Sequence, residues 1–154
     1  MPSASRPKSR LAAYFFFAIL AVAAICVAYA LLHSGPWIVP DSAKRLPNPL
    51  APSEANLSAA QSTYMDKCSD CHGDSGRGDG AQAKMYSTRP SDLTDTQHLG
   101  SVTDGELFYK ITSGHRPMPS FRKRLSDTQR WQLVLFIRSI SHSTSPPIAP
   151  SPQR

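Results

Sequence analysis

Two cysteines stand three positions apart with a histidine directly behind the second: Cys68-Ser69-Asp70-Cys71-His72. Thiols at this spacing can each form a thioether with one of the two vinyl groups of a single porphyrin. The histidine that follows is then held under the ring, where its imidazole ligates the iron from one face. Few other chemistries ask for a histidine in that place. A structural zinc site draws on about four ligands, usually as two such pairs. This chain has one pair, and its third cysteine, Cys26, lies in an apolar segment as a small hydrophobe. A redox dithiol of the thioredoxin type would sit after a strand in a βαβ pattern, which is not visible here. The motif predicts one haem c, covalently bound through Cys68 and Cys71, with His72 as an iron ligand.

His72 leaves a second axial position to be filled, and His98, His115, Met65, Met85 and Met118 have suitable chemistry. Met118 stands in Gly114-His115-Arg116-Pro117-Met118-Pro119-Ser120-Phe121. Prolines on both sides restrict the backbone and hold it extended, which suits a thioether presented at a fixed place. It follows His72 by 46 positions, enough chain to wrap round the ring. Met65 and Met85 read as space-filling side chains. His115 shares the loop, and spacing alone does not set it aside. With Met118 as the expected ligand, the metal-binding pair is His72 and Met118. Such a pair raises the reduction potential relative to two histidines, and six-coordinate iron keeps no site for substrate. The expectation is an electron carrier with no catalytic residues, not an enzyme.

The elements that must position these residues make up part of a chain of 154 residues. From Leu11 to Leu32 no residue is charged. As a helix rising about 1.5 Å per residue this run spans the roughly 30 Å hydrocarbon core of a bilayer. Arg6, Lys8 and Arg10 flank it on the N-terminal side, so the positive-inside rule puts residues 1–10 in the cytoplasm and everything after residue 32 outside. A cleaved signal peptide ending at Ala28-Tyr29-Ala30 is the rival, but the apolar run exceeds an ordinary signal core of about 7–15 residues. The expected location is the cell inner (cytoplasmic) membrane, crossed once, with the haem domain on the periplasmic side. Export also agrees with the cysteine usage, because thioethers remove two thiols that an oxidising compartment would pair.

Residues 33–56 carry Pro36, Pro40, Pro47, Pro49 and Pro52 and are predicted to form a stiff, extended linker. At about 3.1 Å per residue it would reach on the order of 70 Å. The tail 142–154, rich in Ser and Pro, reads as disordered. Between lies a domain at 57–141, predicted all-α. A first helix runs from Ser58 into the cysteine motif, with Ala60, Tyr64 and Cys68 on one face. Gly73, Gly76, Gly78 and Gly80 break it beside the motif. Further helical turns are expected over 80–86 and 103–112. A last helix is capped by Ser126 with Gln129 in a capping-box arrangement; Trp131 and Leu135 share one face, Phe136 and Ile140 the adjacent one. A domain this small buries little surface unaided, so the haem is expected to complete its core.

The formal net charge is +6. Between Asn56 and Ser141 eleven Lys/Arg stand against nine Asp/Glu, which does not suggest nucleic-acid binding. Asp66, Asp70, Asp74 and Asp79 surround the cysteine motif, whereas His115, Arg116, Arg122, Lys123, Arg124 and Arg130 follow later.

Over about residues 57–141 the chain resembles class I cytochromes c of the bacterial membrane-anchored, one-haem type. The resemblance rests on Tyr64-x-x-x-Cys68-x-x-Cys71-His72-Gly73, Gly76-x-Gly78-Asp79-Gly80, Asp92-Leu93-Thr94, Gly114 to Met118-Pro119-x-Phe121, and Leu125-Ser126 leading to Trp131 and Phe136-Ile137-Arg138. It implies that the first and last helices cross, with the Ala60/Tyr64 face against Trp131 and Leu135. It also implies a loop carbonyl accepting from His72 Nδ1. Many relatives have proline where this chain has Ala81, so Gly80, Ala81 and Pro90 remain alternatives for that carbonyl. Arg89 is either a partner for a haem propionate or an exposed arginine.

The implied function is electron transfer by a membrane-tethered cytochrome c that shuttles between respiratory or photosynthetic complexes. Its partners would be an oxidase, a dehydrogenase, a quinol-cytochrome c reductase or a photosynthetic reaction centre, besides the lipid bilayer. A fixed subunit of an oxidase or dehydrogenase complex is the close alternative, and a haem peroxidase a more distant one.

Overall fold

A computed structural model describes residues 8–33 and 37–142. Most of the expected cytoplasmic stretch 1–10, and the tail 142–154 beyond His142, lie outside the described residues. The chain divides into two units, the first ending at Ile38 and the second beginning at Val39. Among the described residues helices follow in the order α1 (Lys8–His33), α2 (Asp41–Lys44), α3 (Glu54–Lys67), α4 (Ser69–His72), α5 (Thr96–Ser101), α6 (Asp104–Ser113) and α7 (Asp127–His142), with a 3-10 turn at Ala83–Met85. No strand occurs among the described residues.

In the first unit, α1 is apolar on every face. A water-facing helix would carry a polar stripe. Its stretch Arg10–Ala30 is long and apolar enough to cross a membrane.

The second unit is built on packing of α3 against α7. Ser53 caps α3 by accepting from Asn56 N at 3.2 Å, so the helix starts one turn before the expected Ser58. Ser126 and Gln129 form the capping box of α7: Gln129 N donates to Ser126 Oγ (3.2 Å) and Ser126 N to Gln129 Oε1 (2.9 Å). Each such cap contributes about 1 kcal/mol. Ala60 and Val134 are fully buried, and the Tyr64 ring meets Phe136 at 4.9 Å. The small side chain at Ala60 suits close approach of the two helices.

Trp131 belongs to the same buried cluster as Ala60 and Tyr64, and it also lies flat on Phe108 of α6, with ring centroids 4.0 Å apart and planes at 13°. Leu135 is buried but stands apart from the main apolar cluster. A four-residue spacing places side chains on one face without saying which neighbour that face meets. Arg138 then gathers the shorter helices. Its Nε donates to Asp104 in the first turn of α6 (2.7 Å), and its two terminal nitrogens to the carbonyls of Leu99 (2.6 Å) and Val102 (2.5 Å) around α5.

The expected spacer over 33–56 is corrected from Val39 onward. Val39 is buried, and α2 packs on α6, where Thr103 Oγ1 donates to the Lys44 carbonyl at 2.8 Å. Asn48 Nδ2 donates to the Trp131 carbonyl at 3.2 Å, and Leu50 packs against the core. Gly105 makes the fit possible, since a Cβ there would lie 2.0 Å from the Ala43 carbonyl oxygen. The prolines explain the outcome as well as they explained the expectation. Fixed φ angles lower the entropy lost when such a segment settles on a surface.

Candidate functional site

Helix α3 delivers the cysteine motif. It closes with Cys68 N donating to the Tyr64 carbonyl at 2.8 Å, and the chain turns once more as α4. His72 N then donates to the Cys68 carbonyl (2.9 Å) and Gly73 N to that of Ser69 (2.7 Å). One turn therefore carries Cys68, Cys71 and His72, and all three are half-buried. Neither cysteine is in a disulfide. Burial, with Cys71 and Asp66 adding to it, pushes the Cys68 thiol up to about 12. A group held neutral in this way fits an environment made for an uncharged thioether.

His72 is oriented by one bond. Its Nδ1 lies 3.2 Å from the Ser91 carbonyl oxygen. A carbonyl only accepts, so Nδ1 carries the hydrogen and Nε2 keeps a lone pair. Burial lowers the imidazole pKa, which the Ser91 bond partly offsets, and so favours the neutral ligating form. The donor set thus fits a haem c: two thiols for the thioethers and an aimed imidazole nitrogen for the iron.

Ser91 settles the choice among Gly80, Ala81 and Pro90, being none of them. Gly80 serves the turn differently. Its N donates to the Cys71 carbonyl (3.2 Å), and a Cβ there would stand 2.4 Å from the Asp70 carbonyl oxygen. The loop 73–82 is further tied to the turn by Gly78 N to the His72 carbonyl (2.8 Å) and Gln82 N to that of Asp70 (2.8 Å). Gly78 also makes room for the segment that carries Ser91. With φ at +70°, it allows the Pro90 carbonyl to approach within 2.3 Å of where a Cβ would be. Arg89 is exposed and donates Nε to the Gly78 carbonyl at 3.3 Å. Beyond it Asp92 accepts from Thr94 N (2.8 Å) and Thr94 Oγ1 (2.6 Å), which holds its carboxyl below the usual range.

Met118 sits in a closed turn. His115 N donates to the Met118 carbonyl (3.0 Å) and Met118 N to that of His115 (2.8 Å), with a cis Arg116–Pro117 bond between. Its side chain is half-buried and packs against the same apolar cluster as Cys68. His98 is exposed on α5. Met65 and Met85 are exposed rather than space-filling, Met85 at 76%.

A family model described as "Cytochrome C oxidase, cbb3-type, subunit III" matches residues 55–137. The chain belongs to this family. All three motif residues and Met118 lie within the matched span, and covalent binding of haem c follows from membership. Similar proteins include the cbb3-type cytochrome c oxidase subunit FixP of Rhizobium etli, 30% identical over 95 residues, or 60% of this chain and 31% of that protein. Subunit FixPc of Rhizobium leguminosarum bv. viciae matches with the same identity and coverage, 30% over 95 residues. The match thus spans under a third of each of these relatives. Among solved structures, a chain of the reducing HAO-like protein complex of Kuenenia stuttgartiensis has a TM-score of 0.53 and 32% identity, covering 72% of this chain and 53% of that one. With its all-α haem domain after an apolar N-terminal helix, the chain is a c-type cytochrome by fold and by motif.

Three contributors were not foreseen from the residues. Ser91 acts through its backbone, which leaves no side-chain signal. The bond from Asn48 to the Trp131 carbonyl and the contact of Arg130 with the Phe108 ring join segments distant in sequence, which no local pattern records.

Proposed function

We propose that this chain is a membrane-anchored, one-haem cytochrome c that transfers electrons as a fixed subunit of an oxidase or dehydrogenase complex. The observation that carries the reading is the family match over residues 55–137, together with the oxidase subunits among the relatives. The docking of residues 39–50 on the haem domain removes most of the long spacer that a shuttle would need.

In this reading α1 spans the cytoplasmic membrane and the haem domain faces the periplasm. Cys68 and Cys71 would hold the haem through thioethers, with His72 and Met118 as the iron ligands. The bound haem supplies a one-electron couple. The Ser91 carbonyl restrains the His72 ring and leaves its Nε2 aimed at the place an iron would take. Met118, fixed by its own turn, would present a thioether to that iron and leave no open site for substrate. The role is electron transfer without catalysis. Arg116, Arg122, Lys123 and Arg124 are exposed around this loop and suit an acidic docking face.

Mild detergent extraction of native membranes tests the proposal. The chain is expected to travel with large integral membrane subunits and to carry one haem c per chain. A chain released alone, at ordinary ionic strength, would contradict the fixed-subunit assignment.

A further inference from the structure

We infer that Arg130 is a positioning residue for Met118, acting through the hydroxyl of Thr112 at the neck of the methionine loop. The inference rests on the reading of Met118 as an iron ligand.

Arg130 is 4% exposed, unusual for a charged side chain in so small a domain. Its guanidinium donates Nη1 to Thr112 Oγ1 at 2.5 Å and Nε to the Ser126 carbonyl at 3.4 Å, and Nη2 pairs with Asp127. The guanidinium carbon also stands 4.9 Å from the centre of the Phe108 ring, which is stacked on Trp131. The Asp127 side chain is 81% exposed, and a pair with so wet a carboxylate gives little reason to bury the cation. Thr112, itself buried, is the inner partner.

Thr112 lies where the loop leaves and returns. It belongs to the last turn of α6, just ahead of Gly114, whose φ of +64° turns the chain out. On the return, Ser120 Oγ and Arg122 N donate to the Thr112 carbonyl at 2.7 and 3.2 Å, and Phe121 N donates to that of Ile111 at 3.2 Å. Both sides of the neck therefore meet at residues 111–112, and Arg130 ties that point to α7, which is packed on α3. With the neck fixed, the His115–Met118 turn closes over a defined base. If Thr112 drifts, the whole loop and its thioether drift with it.

A purely structural role for Arg130 would cost stability without touching the iron. The two are separated in the full-length, haem-loaded protein by the weak methionine–iron charge-transfer band of the oxidised form and by its affinity for added imidazole, which binds only when Met118 lets go. Thr112→Val removes the acceptor while keeping the shape, the Arg130 charge and the Asp127 pair. It is expected to weaken the band and to tighten imidazole binding by about tenfold or more, the worth of a buried hydrogen bond from a charged donor. Thr112→Ser, which keeps the hydroxyl, should match the wild type. Arg130→Lys, which keeps the charge but loses the fork, should fall between. A Thr112→Val protein that melts earlier yet retains the wild-type band and imidazole affinity overturns the inference. Should Thr112→Val not fold, wild-type imidazole affinity in Arg130→Lys does the same. A wild-type protein lacking the band would instead remove the ligand assignment itself, and this inference with it.

Discussion

Tyr64 donates its phenolic hydrogen to the Gly73 carbonyl at 2.7 Å, across the turn that carries both cysteines and His72. The ring is buried against Phe136 and the hydroxyl reaches past the motif, so α3 and the start of the glycine loop are locked to one another. Tyr64→Phe leaves the Gly73 carbonyl without this partner and is expected to destabilise the protein by about 1–2 kcal/mol, measured by chemical denaturation.

The same side chain sets an alkaline limit. Burial first, with the negative charges of Asp74 and Asp79 adding to it, raises the Tyr64 pKa well above its ordinary value. The folded protein therefore keeps a proton that the unfolded chain releases above about pH 10. Stability from this group is fully present below that pH and declines as pH rises further. Unfolding free energy measured across the alkaline range should fall more steeply in the wild type than in Tyr64→Phe; parallel curves would contradict the assignment.

Gly78→Ala probes the bond that aims His72. The new methyl would meet the Pro90 carbonyl at 2.3 Å, with φ already at +70°, and must push the Ser91 segment away from the imidazole. A cost of about 1–3 kcal/mol is expected. Loss of the acceptor at Nδ1 makes the imidazole a poorer donor to ferric iron, so the reduction potential should rise. Potentiometric titration reads this directly, and a lower potential would go against it.

The docked segment after Val39 is tested at Gly105. A methyl there would lie 2.0 Å from the Ala43 carbonyl oxygen and 2.8 Å from that of Leu46. Gly105→Ala should free α2, lower stability by about 1–3 kcal/mol, and speed tryptic cleavage after Lys44 and Arg45. Equal cleavage rates in the two proteins would mean that the segment is not held.

Much of this was legible in the residues. The C-x-x-C-H spacing, the capping box at Ser126 and Gln129, and the apolar run of α1 are local patterns, and local patterns translate directly into structure. Helix α5 escaped notice because it is short, though Asp95 caps it by accepting from Gln97 N and His98 N at 3.0 Å each. The segment 39–50 falls within the predicted spacer because prolines favour an extended chain, yet it carries α2 and docks on α6, where Gly105, far along the chain, leaves room for it. Ser91 was out of reach for a similar reason: a backbone carbonyl has no residue type. The stacking of Trp131 on Phe108 is a pairing between two helices that periodicity cannot express.

The central claim is that one iron lies between His72 and Met118. The most direct measurement is the absorption spectrum of the oxidised, haem-loaded protein and of its Met118→Ala variant. The wild type should be low-spin with the weak methionine–iron band at the red end, and Met118→Ala should lose that band, fall in reduction potential and bind added imidazole freely. A bis-histidine or high-spin wild-type spectrum, or a band that survives in Met118→Ala, would contradict the account.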